Sequence, residues 1–148
     1  MSQIALWGMG LSALVSVSSQ ASSDVRERQW RLLAPDRGSG AAAVFMSWDG
    51  TSRIFTVTCD SQSKELVVRY SLPDVVGLKL NGPMSIGLVV LRTLRKGEVL
   101  EGRSKLTPKL ERALKAPGDL LIDAPNEIGE PWYVGHAGPL RGVALACR

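Results

Sequence analysis

The residues of this chain with chemistry to offer are few: one histidine, two cysteines and a short run of carboxylates. His136 has no second imidazole with which to build a histidine metal cluster. No Ser or Cys carries a neighbouring base that would turn it into a nucleophile. On a strand face beside Trp132, His136 reads first as a structural residue. Asp119, Asp123, Glu127 and Glu130 lie close together around a short apolar segment, but no calcium-loop spacing is present, and acids beside Pro and Gly are ordinarily solvated turn residues. A small hydrolase would have to assemble its site from His136, Tyr133 and these acids, which share no recognised spacing. No cofactor and no metal site is expected.

Ser61, Gln62, Ser63 and Lys64 fit the Ser-x-x-Lys pattern of serine acyl-enzymes that recognise β-lactams. That pattern opens a helix in a much larger domain and comes with two further motifs, whereas here it falls in a hairpin turn. The strongest charge feature is basic. Arg92, Arg95, Lys96, Arg103, Lys105, Lys109, Arg112 and Lys115 face only Glu98, Glu101 and Glu111, eight against three. The first seven are the candidate anion-binding residues, for an anionic envelope component or an acidic protein surface. The plainer reading is a solvated helix face and hairpin edges where Lys and Arg discourage edge-to-edge pairing. Aromatics do not interleave with these charges, which argues against nucleic acid, and a formal charge of +4 is on the scale of solubility.

The cysteines take their meaning from the compartment. Residues 1–23 carry no charged side chain, and Ile4 to Val17 is apolar enough for a secretory h-region yet short for a membrane span. Small residues at Ser19 and Ala21 predict a signal peptide over 1–21 with cleavage after Ala21, although no Lys or Arg opens it. An uncleaved N-terminal membrane anchor is the alternative. A periplasmic or secreted protein follows, with no membrane span in the mature chain. In an oxidising compartment an even count of cysteines on apolar faces reads as a disulfide, Cys59 to Cys147; two buried free thiols are the alternative.

The elements that must position these residues are mostly short strands. With 148 residues, 15 Gly and 8 Pro, the chain has one domain's length and is cut into pieces too brief for long helices. Residues 22–28 read as a flexible N-terminus and 29–148 as a single β-rich domain. Gln29 to Leu32 alternates like a first strand, and Pro35 to Gly40 is a turn. Ala42 to Trp48 would place Val44, Met46 and Trp48 on one side before the Asp49–Gly50 hairpin. Arg53 to Asp60 returns with Phe55, Val57 and Cys59 on one face and Ile54, Thr56 and Thr58 on the other, and Lys64 to Ser71 points Leu66, Val68 and Tyr70 inward. Val75 to Leu80 is a short apolar piece, Ser85 to Leu91 a strand dense enough to be covered on both faces, and Val99 to Arg103 a weak strand. Thr107 and Pro108 open a helix over about 107–116 that Pro117 and Gly118 end. Leu120 to Asp123 and Pro131 to His136 follow as strands. Leu140, Val143, Ala144 and Cys147 then form one helical stripe over about 139–147 that brings Cys147 to the face of Cys59.

A strand ending in Cys59, a polar turn, then Leu66-x-Val68-x-Tyr70, with a second cysteine near the C-terminus, is similar to periplasmic lysozyme inhibitors of the membrane-bound/C-type class. The resemblance implies a small barrel, a disulfide and a protein-inhibitor role. The family's Ser-Gly-x-x-Tyr segment is absent, because Leu94 to Gly102 occupies the region where it would fall, so no site residues carry over. The expected fold is mainly β: an antiparallel sandwich or partial barrel with two short helices. The expected function is a non-enzymatic envelope binding or structural module; oligomeric state is not legible.

Overall fold

A chain of short strands can satisfy its backbone donors and acceptors only by laddering them together, and this one does so in two antiparallel sheets. The computed structural model describes residues 29–34, 40–71, 82–125, 130–135 and 138–148. The leader and flexible N-terminus expected over 1–28, most of the turn at 35–40, the piece at 75–80, Glu127 and His136 lie outside the described residues.

The elements are β1 (Trp30–Leu33), β2 (Ala42–Met46), β3 (Arg53–Asp60), β4 (Glu65–Ser71), β5 (Ser85–Ile86), β6 (Val89–Val90), β7 (Arg92–Lys96), β8 (Val99–Lys105), α1 (Pro108–Lys115), β9 (Leu121–Asp123), β10 (Trp132–Tyr133) and α2 (Gly138–Leu145). The larger sheet runs β1-β2-β3-β4-β8-β7 and the smaller β10-β9-β5-β6, and neither closes into a barrel, unlike the fold that the inhibitor resemblance implies.

Alternation decides which face of the larger sheet is dry. Phe45, Phe55, Val57, Leu66, Val68, Tyr70 and Leu100 point to one side and are buried, together with Met84, Ile86 and Ile122 from the smaller sheet and Leu110, Leu140 and Val143 from the helices. Ring contacts run Trp30–Phe45–Phe55–Tyr70 across the strands, and Trp132 of the smaller sheet meets Phe55 edge-on at 5.8 Å between centroids. The Trp30 indole donates to the Val134 carbonyl at 2.8 Å. Burial pushes the Tyr70 hydroxyl up to about 12; the Trp132 indole lies near enough to oppose this slightly, without closing a hydrogen bond of normal geometry.

Several expectations need correction. Strand β2 ends at Met46, because the ladder is interrupted between Phe45 and Met46 and Ile54 becomes a bulged residue on β3. Trp48 is therefore in the turn and 88% exposed. Ser85 to Leu91 is two strands, folded at Gly87, whose φ of 55° suits the first central position of a tight hairpin turn. Its Leu88 and Val90 are exposed, so the run is not covered on both faces. The weak strand at 99–103 is the seven-residue β8, paired along its whole length with β4. Arg92 to Lys96, expected to be strand at no position, is β7, and of the described residues within the strand expected over 131–136 only Trp132–Tyr133 are strand.

The chain crosses between the sheets at Leu91, which presses on β8 so closely that a Cβ at Gly102 would lie 2.8 Å from its Cδ1. Both helices are where the spacing put them. Thr107 caps α1 by accepting from the Leu110 amide at 3.2 Å, and Arg141 of α2 donates to the carbonyls of Leu114 and, at 3.1 Å, Ala116, closing the other end of α1. Helix α2 lies on β1, β2 and β3, and Cys147 just beyond it is bonded to Cys59, with 5.4 Å between the Cα atoms.

Candidate anion-binding cleft

The seven candidate anion-binding residues do not form one patch. Three of them, Arg92, Lys96 and Arg103, project from β7 and β8 on the outer face of the larger sheet, where the register also places Glu65, Arg69, Glu101 and Asp60. Glu101 is 3% exposed. Its carboxylate accepts from Arg103 Nε at 2.8 Å, Lys96 Nζ at 2.9 Å and Arg69 Nε at 3.1 Å. Arg103 also donates to Asp60 at 3.0 Å, and Arg92 to Glu65 at 3.1 Å. Burial alone would raise the Glu101 pKa, but the three donors overcome it and hold the carboxyl at about 2. Hydrogen bonding to Arg103 likewise holds Asp60 below its usual range. Cations committed in this way are poor receptors for a further anion, because binding would first have to displace an internal carboxylate.

The other four separate further. Arg95 donates to the carbonyl of Gly97 at 2.8 Å, and Lys105 ends β8 beside the turn into α1. Lys109 and Arg112 stand on α1, where among the described residues neither forms an ion pair; Arg112 donates only to the Pro108 carbonyl of its own helix, at 3.4 Å. Both line an open cleft of about 480 Å³ between α1, the β5–β6 turn and the start of β9. Its apolar walls are Leu88, Val89, Ala113, Ala116, Leu120 and Leu121, and Asp119 lies at the rim. The local folding explains the shape: at Gly87 the hairpin turn lies so near α1 that a Cβ there would be 3.4 Å from the Ala113 Cβ, and Pro117 and Gly118 end α1 beside the start of β9.

Of the remaining candidates, His136 and Glu127 lie outside the described residues, and the Ser-x-x-Lys segment is a turn. Ser61 to Lys64 is the β3–β4 turn: Asp60 accepts from the Gln62 amide at 3.0 Å, and Lys64 takes a left-handed φ of 54°. All four residues are exposed. Asp123 ends β9, and among the described residues no group of three or more His, Cys, Asp or Glu could hold a metal ion. No described helix is long and apolar enough to cross a membrane. The apolar half of the cleft was missed by sequence reasoning, since Leu88 sits inside a run that reads as core strand; the break at Gly87 is the one signal that could have found it. No family model, curated protein or solved structure matches the chain.

Proposed function

We propose that this is an exported, non-enzymatic binding module of the cell envelope, and that its ligand is an anionic component with an apolar portion, held in the cleft between α1 and the β5–β6 turn. One observation carries the reading: Lys109 and Arg112, free of carboxylate partners among the described residues, flank an apolar cleft of about 480 Å³. That size is within the range of small-ligand sites, and apolar walls with few polar groups at the rim are their usual make-up. Export is supported by the Cys59–Cys147 bond, since such bonds persist in oxidising compartments.

The test is calorimetric titration with dodecyl phosphate below its critical micelle concentration, with inorganic phosphate as the control. The amphiphile is expected to bind and inorganic phosphate to bind far more weakly. Replacing both Lys109 and Arg112 by Gln is expected to weaken the amphiphile by roughly tenfold or more, as two charge contacts of about 1 kcal/mol each imply. Equal affinity for the unsubstituted chain and the double variant, or no binding of the amphiphile, would overturn the reading.

A further inference from the structure

The β2–β3 turn carries a feature that neither the core nor the cleft uses. Trp48 is 88% exposed, the most exposed large apolar side chain among the described residues. The loop that presents it is tightly held. Ser47 N–H donates to Ser52 O at 2.8 Å and Gly50 N–H to Ser47 O at 2.8 Å. The Asp49 carboxylate accepts from the Thr51 amide at 3.1 Å, the Thr51 hydroxyl at 2.9 Å and the Ser47 hydroxyl. The Ser47 hydroxyl in turn accepts from the Ser52 amide at 3.0 Å. Gly50 takes the left-handed φ of 72° that closes the turn. The Arg31 guanidinium reaches this tip, 3.2 Å from where a Cβ on Gly50 would lie, and Arg53 opens β3 beside it, paired in register with Met46. Neither arginine has a carboxylate partner among the described residues.

We infer that this hairpin tip is an interfacial anchor, seating the Trp48 ring in the headgroup layer of an anionic lipid bilayer while Arg31 and Arg53 meet lipid phosphates. An indole with an apolar body and one N–H donor is suited to the boundary between water and acyl chains. Arginines next to it add attraction to an anionic surface. A protein partner would instead call for apolar neighbours that exclude water around the ring; among the described residues, the turn around Trp48 is made of Ser47, Asp49, Gly50 and Thr51, with Arg31 reaching its tip and Arg53 at the start of β3. Rigidity also matters, because a loop already fixed by its own hydrogen bonds loses little freedom on docking. The inference is independent of the cleft.

The experiment is partition of the whole chain onto vesicles of phosphatidylcholine with and without phosphatidylglycerol. Binding is expected only with the anionic lipid. Trp48→Ala should weaken it about tenfold or more, and Arg31→Gln or Arg53→Gln roughly fivefold each. Trp48→Ala should bind dodecyl phosphate like the unsubstituted chain while its vesicle binding falls, which separates this surface from the cleft. Brominated lipid should quench part of the tryptophan emission, and Trp48→Phe should lose that part. Equal partition of Trp48→Ala and the unsubstituted chain, quenching unchanged in Trp48→Phe, or no preference for anionic vesicles would overturn the inference.

Discussion

A carboxylate taken out of water stays ionised only where donors replace the lost hydration, and Glu101 has three. The cluster on the outer face of the larger sheet is therefore best understood as a fastening between β4, β7 and β8, not as an anion receptor. Its consequence is a pH-dependent stability. The folded pKa of Glu101, about 2, lies below the ordinary value of 4.5, so its contribution is fully present above about pH 4.5 and is lost as the pH falls towards 2. The shift corresponds to at most on the order of 3 kcal/mol, and because Arg69 and Lys96 are half exposed the realised share is smaller. Glu101→Gln is expected to be destabilised near neutral pH and to show a flatter fall in stability down to about pH 2.5. Urea unfolding of both proteins at the two ends of that range checks it. An identical pH dependence would show that the cluster is not coupled to folding; Asp49 and Glu111, also held low by hydrogen bonds, lie outside the cluster and cancel from the comparison, whereas Asp60 shares Arg103 with Glu101 and belongs to the same network.

At the scale of elements, the bond between Cys59 and Cys147 joins the end of the chain to a central strand across 88 residues of sequence. Helix α2 already buries Leu140, Val143 and Ala144, so the bond restrains an element that packing also holds. Replacing both cysteines by Ala is expected to lower stability by about 2–4 kcal/mol without changing the fold, read as a shift of the urea midpoint, with the unsubstituted protein under reductant matching the variant. Unchanged midpoints would mean that α2 is held by its apolar stripe alone. This element was legible because a 3.6-residue stripe ending in a cysteine is a strong local pattern, and the β2–β3–β4 hairpins were legible because Phe55, Val57 and Cys59 alternate with Thr56 and Thr58, Leu66, Val68 and Tyr70 recur at every second position, and Asp49–Gly50 marks the turn between β2 and β3. Strand β7 was not. Arg92, Leu94, Arg95 and Lys96 are all exposed on an edge, so no apolar alternation marks them, and only pairing with β8 makes them strand. The cleft was illegible for a related reason: whether Leu88 is core or rim depends on where α1 packs, which is a tertiary fact. The same limit hid the division of the basic residues, since Asp60, one of the partners of Arg103, lies 43 positions away in sequence.

At the scale of the molecule, the two sheets have no separate interiors. Ile86 and Ile122 of the smaller sheet, Phe55 and Val68 of the larger, and Leu110 and Leu140 of the helices belong to one buried cluster, and Trp132 carries the aromatic row from one sheet to the other. The smaller sheet is made of strands two or three residues long, too little ladder to stand without that shared core. Unfolding should accordingly be a single cooperative event. Ile122→Ala, which empties a fully buried site in the smaller sheet, is expected to cost about 2–5 kcal/mol and to move that one transition as a whole. The check is to follow urea unfolding by far-ultraviolet circular dichroism, which reports the strands and helices, and by the near-ultraviolet signal of the aromatic row that includes Trp30, Phe45, Phe55 and Tyr70. Both signals should shift together in the variant. If the substitution instead split them, with the aromatic row of the larger sheet keeping its original midpoint, the smaller sheet would be an independently melting layer, and the cleft built on its edge would open without disturbing the rest of the fold.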